Sequence, residues 1–330
     1  MDNKTKPQLL VEYIRDGLAE QSHYGFVVLA DKNRAFDFTG EDKDYPFYLR
    51  SCAKPLQASL IIDYGLDKHF DMTSEEIAIC SASHAGEEIH VNTAVNLLKK
   101  TGLDESYLKC GFHKPISKTE QEKLLLSGKK ENVFQNNCVG KHIMMLAICK
   151  IKNWDLNTYY EAEHPLQKAI KEKIYDLCHI NTHKLDCFGK SLAMTSYPIT
   201  KDGCGVPIHS MPLKNMLHGY LNLFCNPKYD KITNAFRNNP YIIGGENRLD
   251  TNIMQNSHNL IAKVGAGGLC IVVNLQEEEA FIVKICDCDM KAREIVVVDT
   301  LKNLHWADIN IDRNIKTLHG EVIGKIKTVL

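Results

Sequence analysis

Ser51 stands three residues ahead of Lys54 in the stretch Phe47-Tyr48-Leu49-Arg50-Ser51-Cys52-Ala53-Lys54-Pro55-Leu56-Gln57. On a helix, positions three apart share a face, so an unprotonated lysine there can take the serine proton and leave an activated nucleophile. The same string also reads as a serine capping a helix, followed by a solvated lysine. The rest of the chain has to decide between the two.

Four other clusters carry side chains capable of chemistry. Ser81-Ala82-Ser83-His84-Ala85-Gly86-Glu87 follows a short apolar run and reads as the opening of a helix, a place for a reactive hydroxyl, a bound anion or simply a cap. Asn136-Asn137-Cys138-Val139-Gly140-Lys141-His142 crowds a thiol, an amine and an imidazole at the start of an apolar helix. There Cys138 and Lys141 share a face, and Cys138 with His142 has the i, i+4 spacing of a metal pair, although no CxxC or HxxxH accompanies it. Lys201-Asp202-Gly203-Cys204-Gly205-Val206-Pro207 brings a carboxylate and a thiol into a rigid turn. Ala262-Lys263-Val264-Gly265-Ala266-Gly267-Gly268 sets a lysine beside glycines that permit close backbone approach, in an order that does not fit a phosphate loop.

The elements that must position these clusters are a sheet and a set of helices. Tyr24–Ala30 and Arg34–Gly40 read as a hairpin, and so do Gly268–Leu275 and Glu279–Ile285, so both chain ends are expected in one antiparallel sheet. Helical periodicity covers Glu87 to Thr101, Lys118 to Ser127, Gly140 to Trp154, Asn157 to Cys178 and, after the second hairpin, Asp289 to Leu304. With no repeat, low-complexity tract or linker, the expectation is one α+β domain over 1–330. Its terminal sheet would come from about 20–45 and 258–330, and its helical region from about 50–240.

Forty basic residues against forty-one acidic ones give a formal charge of −1, so neither nucleic acid nor an anionic membrane is implied as a partner. In the N-terminus Met1-Asp2-Asn3-Lys4-Thr5-Lys6-Pro7 neither a secretory signal nor a membrane span is read, so the expected location is the cytoplasm. The twelve cysteines are scattered and are read as reduced thiols, some buried and a few available to a metal.

Taken in order, R-S-x-x-K, S-H-x-G-E, N-x-C-x-G-K-H, D-G-C-x-x-P and A-K-x-G-A-x-G, spanning Arg50 to Lys263, resemble the rhizobial-type asparaginase family, also called class 3 or asparaginase II. The resemblance implies a fold similar to serine β-lactamases and glutaminases, and two Ser-Lys tandems, Ser51 with Lys54 and Ser83 with Lys263. It also implies a zinc site of Cys138, Lys141 and Cys204, and a homodimer. Lysine binds zinc only as the neutral amine, so Lys141 would have to lose its proton. Where the resemblance implies a cysteine near the active site, this chain carries Asp250.

The expected activity is hydrolysis of L-asparagine to L-aspartate and ammonia through an acyl-enzyme. Ser51 is favoured as nucleophile, with Ser83 and Lys263 relaying protons. Arg50, Asp202 and His142 are assigned to the substrate, Arg50 to its carboxylate. Glutaminase activity is the nearest rival, because one methylene discriminates modestly. A penicillin-recognising peptidase shares Ser-x-x-Lys but would need an export signal and a Lys-Thr-Gly-like strand. A non-catalytic amino-acid or zinc-binding protein would keep the pocket without turnover.

Overall fold

The computed structural model describes residues 5–42, 44–180 and 197–329. Among these residues eleven strands are formed: β1 (Gln8–Arg15), β2 (Leu18–Ala30), β3 (Phe36–Thr39), β4 (Phe47–Tyr48), β5 (Ile199–Lys201), β6 (Pro207–Met211), β7 (Leu260–Gly265), β8 (Leu269–Asn274), β9 (Glu279–Ile285), β10 (Asn314–Lys316) and β11 (Val322–Thr328). Eight of them make one sheet in the order β10-β11-β1-β2-β9-β8-β7, with β3 paired to β2, and β4, β6 and β5 make a small second sheet. All the pairings are antiparallel.

The N-terminal and C-terminal strands meet where β2 pairs with β9, from Gly25 opposite Ile285 to Ala30 opposite Ala280. Both expected hairpins are therefore present and adjacent. The sheet begins earlier than expected, at Gln8, because β1 joins it ahead of β2. Every residue of β7 and β8 is buried, as in a sheet covered on both faces. The Leu213–Phe224 helix packs on β2, β8 and β9, and the Met290–Asn303 helix on β1, β8, β9 and β11. Asp289 starts the latter as expected, its carboxylate accepting the Ala292 N–H at 2.6 Å.

Between the sheet halves the chain is mainly helical. The Ala53–Asp63 helix is buried from Ala53 to Ile61 and touches the Ser74–Ser81, Val139–Lys152, Pro165–Leu177, Leu213–Phe224 and Asp230–Asn238 helices, which makes it the hub of this layer. One expected helix is shorter than read: of Asn157 to Cys178, only Pro165–Leu177 is helical. Pro165 sits at the first turn and the His164 ring accepts the Leu166 N–H at 3.1 Å, so the helix is capped there and cannot begin earlier. No helix among the described residues is long and apolar enough to cross a membrane.

Candidate active site

The chain enters the site through a single 3-10 turn, Arg50–Cys52, that runs into the Ala53–Asp63 helix. The Tyr220 hydroxyl fixes this turn by donating to the Cys52 carbonyl at 2.8 Å, and β7 packs directly on it. Ser51 is half-buried at its start, while Lys54 is 1% exposed one turn on. Burying a lysine demands acceptors. Lys54 Nζ donates to the carbonyls of Ala82 at 2.7 Å and Asn137 at 2.8 Å and to Ser83 Oγ at 3.0 Å. Those three bonds use all the protons of an ammonium, and none goes to Ser51.

Ser83 is presented by the end of the Ser74–Ser81 helix, which begins at a capping box between Thr73 and Glu76. After Ala82 the backbone turns extended, and the Ser83 N–H is held by the Ile243 carbonyl at 3.0 Å. Lys263 on β7 reaches the same hydroxyl from the other side, with Nζ 2.9 Å from Ser83 Oγ. Lys263 is fully buried, and its amine is pushed down to about 8, first by burial and then by Lys54 and Arg248 against the opposing pull of Asp250. One hydroxyl thus lies between two buried amines, one spending three protons on acceptors and the other readily able to be neutral.

Glu87, expected to open a helix, caps Glu88–Thr101, and Ser83 lies in the extended segment before it. There the His84 and His90 rings stack at 5.1 Å, with Tyr241 stacked on His90 at 5.8 Å. His84 Nδ1 accepts the Gly86 N–H at 3.1 Å, and burial holds the ring neutral. Glu87 bonds the Tyr241 hydroxyl and the Glu246 N–H, tying this segment to the loop that carries Ile243. A surface cavity of about 590 Å³ lined in part by Glu87, Ser117, Glu120, Tyr241 and Glu246 adjoins the segment, and Ser51, Lys54, Ser83 and Lys263 are not among its lining residues.

At the mouth, Arg50 Nε donates to Asp202 Oδ1 at 2.9 Å. Asp202 is fixed in the tight loop between β5 and β6, where its N–H bonds the Val206 carbonyl at 2.9 Å and its carbonyl accepts the Gly205 N–H at 2.9 Å. The same loop turns Cys204 inward, where its sulfur lies 3.1 Å from Lys141 Nζ. Cys138 joins them from the N-terminus of the Val139–Lys152 helix, held by Asn136, whose side chain accepts the Cys138 N–H at 2.9 Å and donates to the Cys110 and Gly111 carbonyls. Gly140 lets this helix lie against the neighbouring one, since a Cβ there would fall 2.1 Å from the Ile79 carbonyl oxygen. His142 is fully buried, its Nδ1 2.6 Å from the Tyr159 hydroxyl.

A family model described as L-asparaginase II matches residues 11–328. The chain belongs to the L-asparaginase II family. It is an asparaginase-type amidohydrolase. Among solved structures it is similar to a β-lactamase from Mycobacterium bovis at 11% identity, over 86% of this chain and 95% of that one, with a TM-score of 0.41. It is also similar to a β-lactamase/D-alanine carboxypeptidase from Pseudomonas syringae at 9% identity, over 86% and 94%, with a TM-score of 0.44. None of the curated proteins compared with it matches.

For this asparaginase II member the cysteine cluster can be set against the zinc ion its sequence implies. Cys138 is held well below its ordinary range by the Cys204 thiol hydrogen bond and, against burial, by Lys54 and Lys141, while Cys204 is pushed up. The cluster thus favours a thiolate on Cys138, the form a thiophilic ion binds. Burial draws the Lys141 amine down, but Cys204 and Cys138 more than offset it, so Lys141 is an ammonium in this geometry. The set fits zinc as two soft sulfurs and an amine that must release its proton on binding. No group of three or more His, Cys, Asp or Glu suited to a metal occurs among the described residues.

Several participants lay beyond sequence reasoning. The Ala82 and Asn137 carbonyls that hold Lys54 are backbone atoms and leave no trace in a motif. Tyr220 acts through an oxygen 168 residues distant in the chain. Asp250 did leave a signal, as the one carboxylate within the otherwise apolar or neutral buried face of the Leu249–Asn256 helix.

Proposed function

We propose that this protein hydrolyses the side-chain amide of L-asparagine to L-aspartate and ammonia through an ester on Ser51. The observation that carries the reading is the convergence of Lys54 Nζ and Lys263 Nζ on Ser83 Oγ at 3.0 and 2.9 Å. Ser83 is only 3% exposed with its oxygen already engaged, which suits a proton relay. Ser51 is the more accessible hydroxyl and lies in the 3-10 turn that leads into the Ala53–Asp63 helix, one turn from Lys54, which suits a nucleophile.

Lys54 becomes a base by passing one proton to Ser83, which passes its own to Lys263. Lys54 then takes the Ser51 proton as Oγ bonds to the amide carbon, and the bond is drawn up on substrate binding, since catalytic hydrogen bonds are often long in the free enzyme. The tetrahedral intermediate collapses as the C–N bond breaks and Lys54 protonates the departing nitrogen, so ammonia leaves. Water then attacks the ester carbon and gives a proton to Lys54, which passes it to Ser51 Oγ as the C–Oγ bond breaks; aspartate is released, and the Lys263 proton returns to Lys54 through Ser83.

Arg50 takes the α-carboxylate and Asp202 the α-ammonium, the substrate replacing the ion pair these two make with each other. His142, kept neutral by burial, backs this side of the pocket. Zinc, when bound, would be held by Cys138, Cys204 and a neutral Lys141, and would supply fixed positive charge near the pocket. Ammonia release is measured on asparagine and on glutamine, with and without chelator, for the native chain and for Ser51→Ala. Ser51→Ala is expected to lose at least about 10³-fold in turnover. Full activity in that variant overturns the assignment, and greater turnover of glutamine than of asparagine overturns the substrate.

A further inference from the structure

Asp250 is fully buried on the Leu249–Asn256 helix, which packs against β7. Its Oδ2 lies 3.6 Å from Lys263 Nζ and accepts the Val264 N–H at 3.3 Å. Oδ1 is equally buried and has no hydrogen-bond partner among the described residues. A carboxylate in such a place is costly unless its charge is answered, and Lys263 is the one cation within ion-pair distance among the described residues. The backbone pins it there, for a Cβ on Gly244 would fall 2.7 Å from Asp250 Oδ1 and 2.5 Å from Thr251 Oγ1.

We infer that Asp250 is a positioning residue for the amide hydrolysis: the counter-charge that makes Lys263 the terminal acceptor of the proton passed from Lys54 through Ser83. The inference rests on the Ser-Lys relay proposed above. Lys263 is faced by Ser83 from the segment after the Ser74–Ser81 helix, by Cys52 and Lys54 from the start of the Ala53–Asp63 helix, and by Arg248 and Asp250 from the 248–256 segment. Burial comes first in pushing its amine down, Lys54 and Arg248 add to that, and Asp250 is the main group acting the other way. Without the carboxylate, a proton reaching Lys263 meets low dielectric and the Arg248 cation, and returns to Lys54. Ser51 then has no base. The step moves one proton from Lys54 to Ser83 and one from Ser83 to Lys263, and no other bond changes.

The test compares the pH dependence of kcat/KM for the native enzyme, Asp250→Asn and Lys263→Ala. Asparagine keeps the shape beside Gly244 and removes the charge. Asp250 is the main group holding a proton on Lys263, so its loss lets that proton leave at lower pH. The acid limb of Asp250→Asn is expected to move down by about 1 pH unit or more, and its plateau to fall about tenfold for each unit of proton affinity lost by Lys263. An unmoved acid limb, at any level of activity, overturns the inference and leaves Asp250 a packing residue. Full activity in Lys263→Ala overturns the relay itself, a separate failure. Should Asp250→Asn not fold by circular dichroism, Asp250→Ala carries the same readout.

Discussion

In the proposed relay, a hydroxyl between two amines does what neither lysine does alone: it lets a buried lysine with every proton committed give one away without moving. The residue-scale risk sits next door, at Arg50, whose φ of 48° lies in the left-handed region that a residue with a Cβ enters at a cost of about 1 kcal/mol or more. Such strain persists where the surroundings fix it, and here the Arg50–Asp202 ion pair and the packing of β7 on the turn do so. Arg50 therefore aims its guanidinium at the mouth of the site beside Ser51. Loss of a charge-assisted contact costs about 1.5–3 kcal/mol, so Arg50→Ala is expected to raise KM for asparagine about 10- to 100-fold with a smaller change in kcat, read by steady-state kinetics. Arg50→Lys should recover only part of this, because the planar fork is lost.

At the scale of elements, the Val139–Lys152 helix sets the thiol cluster against the lysine pair, and its height over the Ser74–Ser81 helix is decided by Gly140. Gly140→Ala must push the two helices apart, at about 1–3 kcal/mol. The expected outcome is a lower thermal midpoint together with weakened turnover, since Asn137, whose carbonyl holds Lys54, precedes that helix directly. A stability loss with native kcat would show that the helix does not position Lys54.

The same elements show what was legible beforehand. Lys118–Ser127 reads from sequence with the bounds it has in the structure, because Ser117 caps it and Gly128 ends it. The two hairpins were legible from their turns. β1 was not: Leu9-Leu10-Val11 breaks the alternation of a strand, and the register shift between Leu9 and Val11 shows a bulge that absorbs the extra residue. Ser51 and Lys54 could be paired by spacing, yet the structure gives the Lys54 amine to Ser83, 29 residues on, a partnership that only tertiary packing creates. The approach of Cys138, Lys141 and Cys204 rests on a turn 63 residues from Lys141, again beyond any local signal.

The whole molecule is held together around unusually many buried thiols, and all eleven described cysteines are free. Burial raises Cys52 to about 11 and pushes Cys80, Cys178 and Cys270 up as well. In the folded state these thiols keep their protons while unfolded ones ionise from about pH 8.5. The unfolded chain thus binds fewer protons, and stability present below that pH is lost as pH rises toward 11. Lys263 works in the opposite sense between about 8 and its ordinary value, because folding has already lowered its proton affinity. The thiols outnumber it, so the urea midpoint is expected to fall between pH 8 and pH 10. A midpoint that rises over that interval would mean the cysteines are not buried as thiols.

The pairing of β2 with β9 also sets a clock on synthesis. A chain made from its N-terminus has Ser51, Lys54 and Ser83 in hand long before residue 285 completes the partner strand, roughly 10–40 s at ordinary elongation rates. For that interval β2 offers an unpaired edge and Ser83 lacks the Lys263 amine that the proposed relay requires. On that relay a ribosome-bound or prematurely ended chain is both prone to stick and unable to hydrolyse, so amidohydrolase activity is expected only once the last third of the polypeptide has been made.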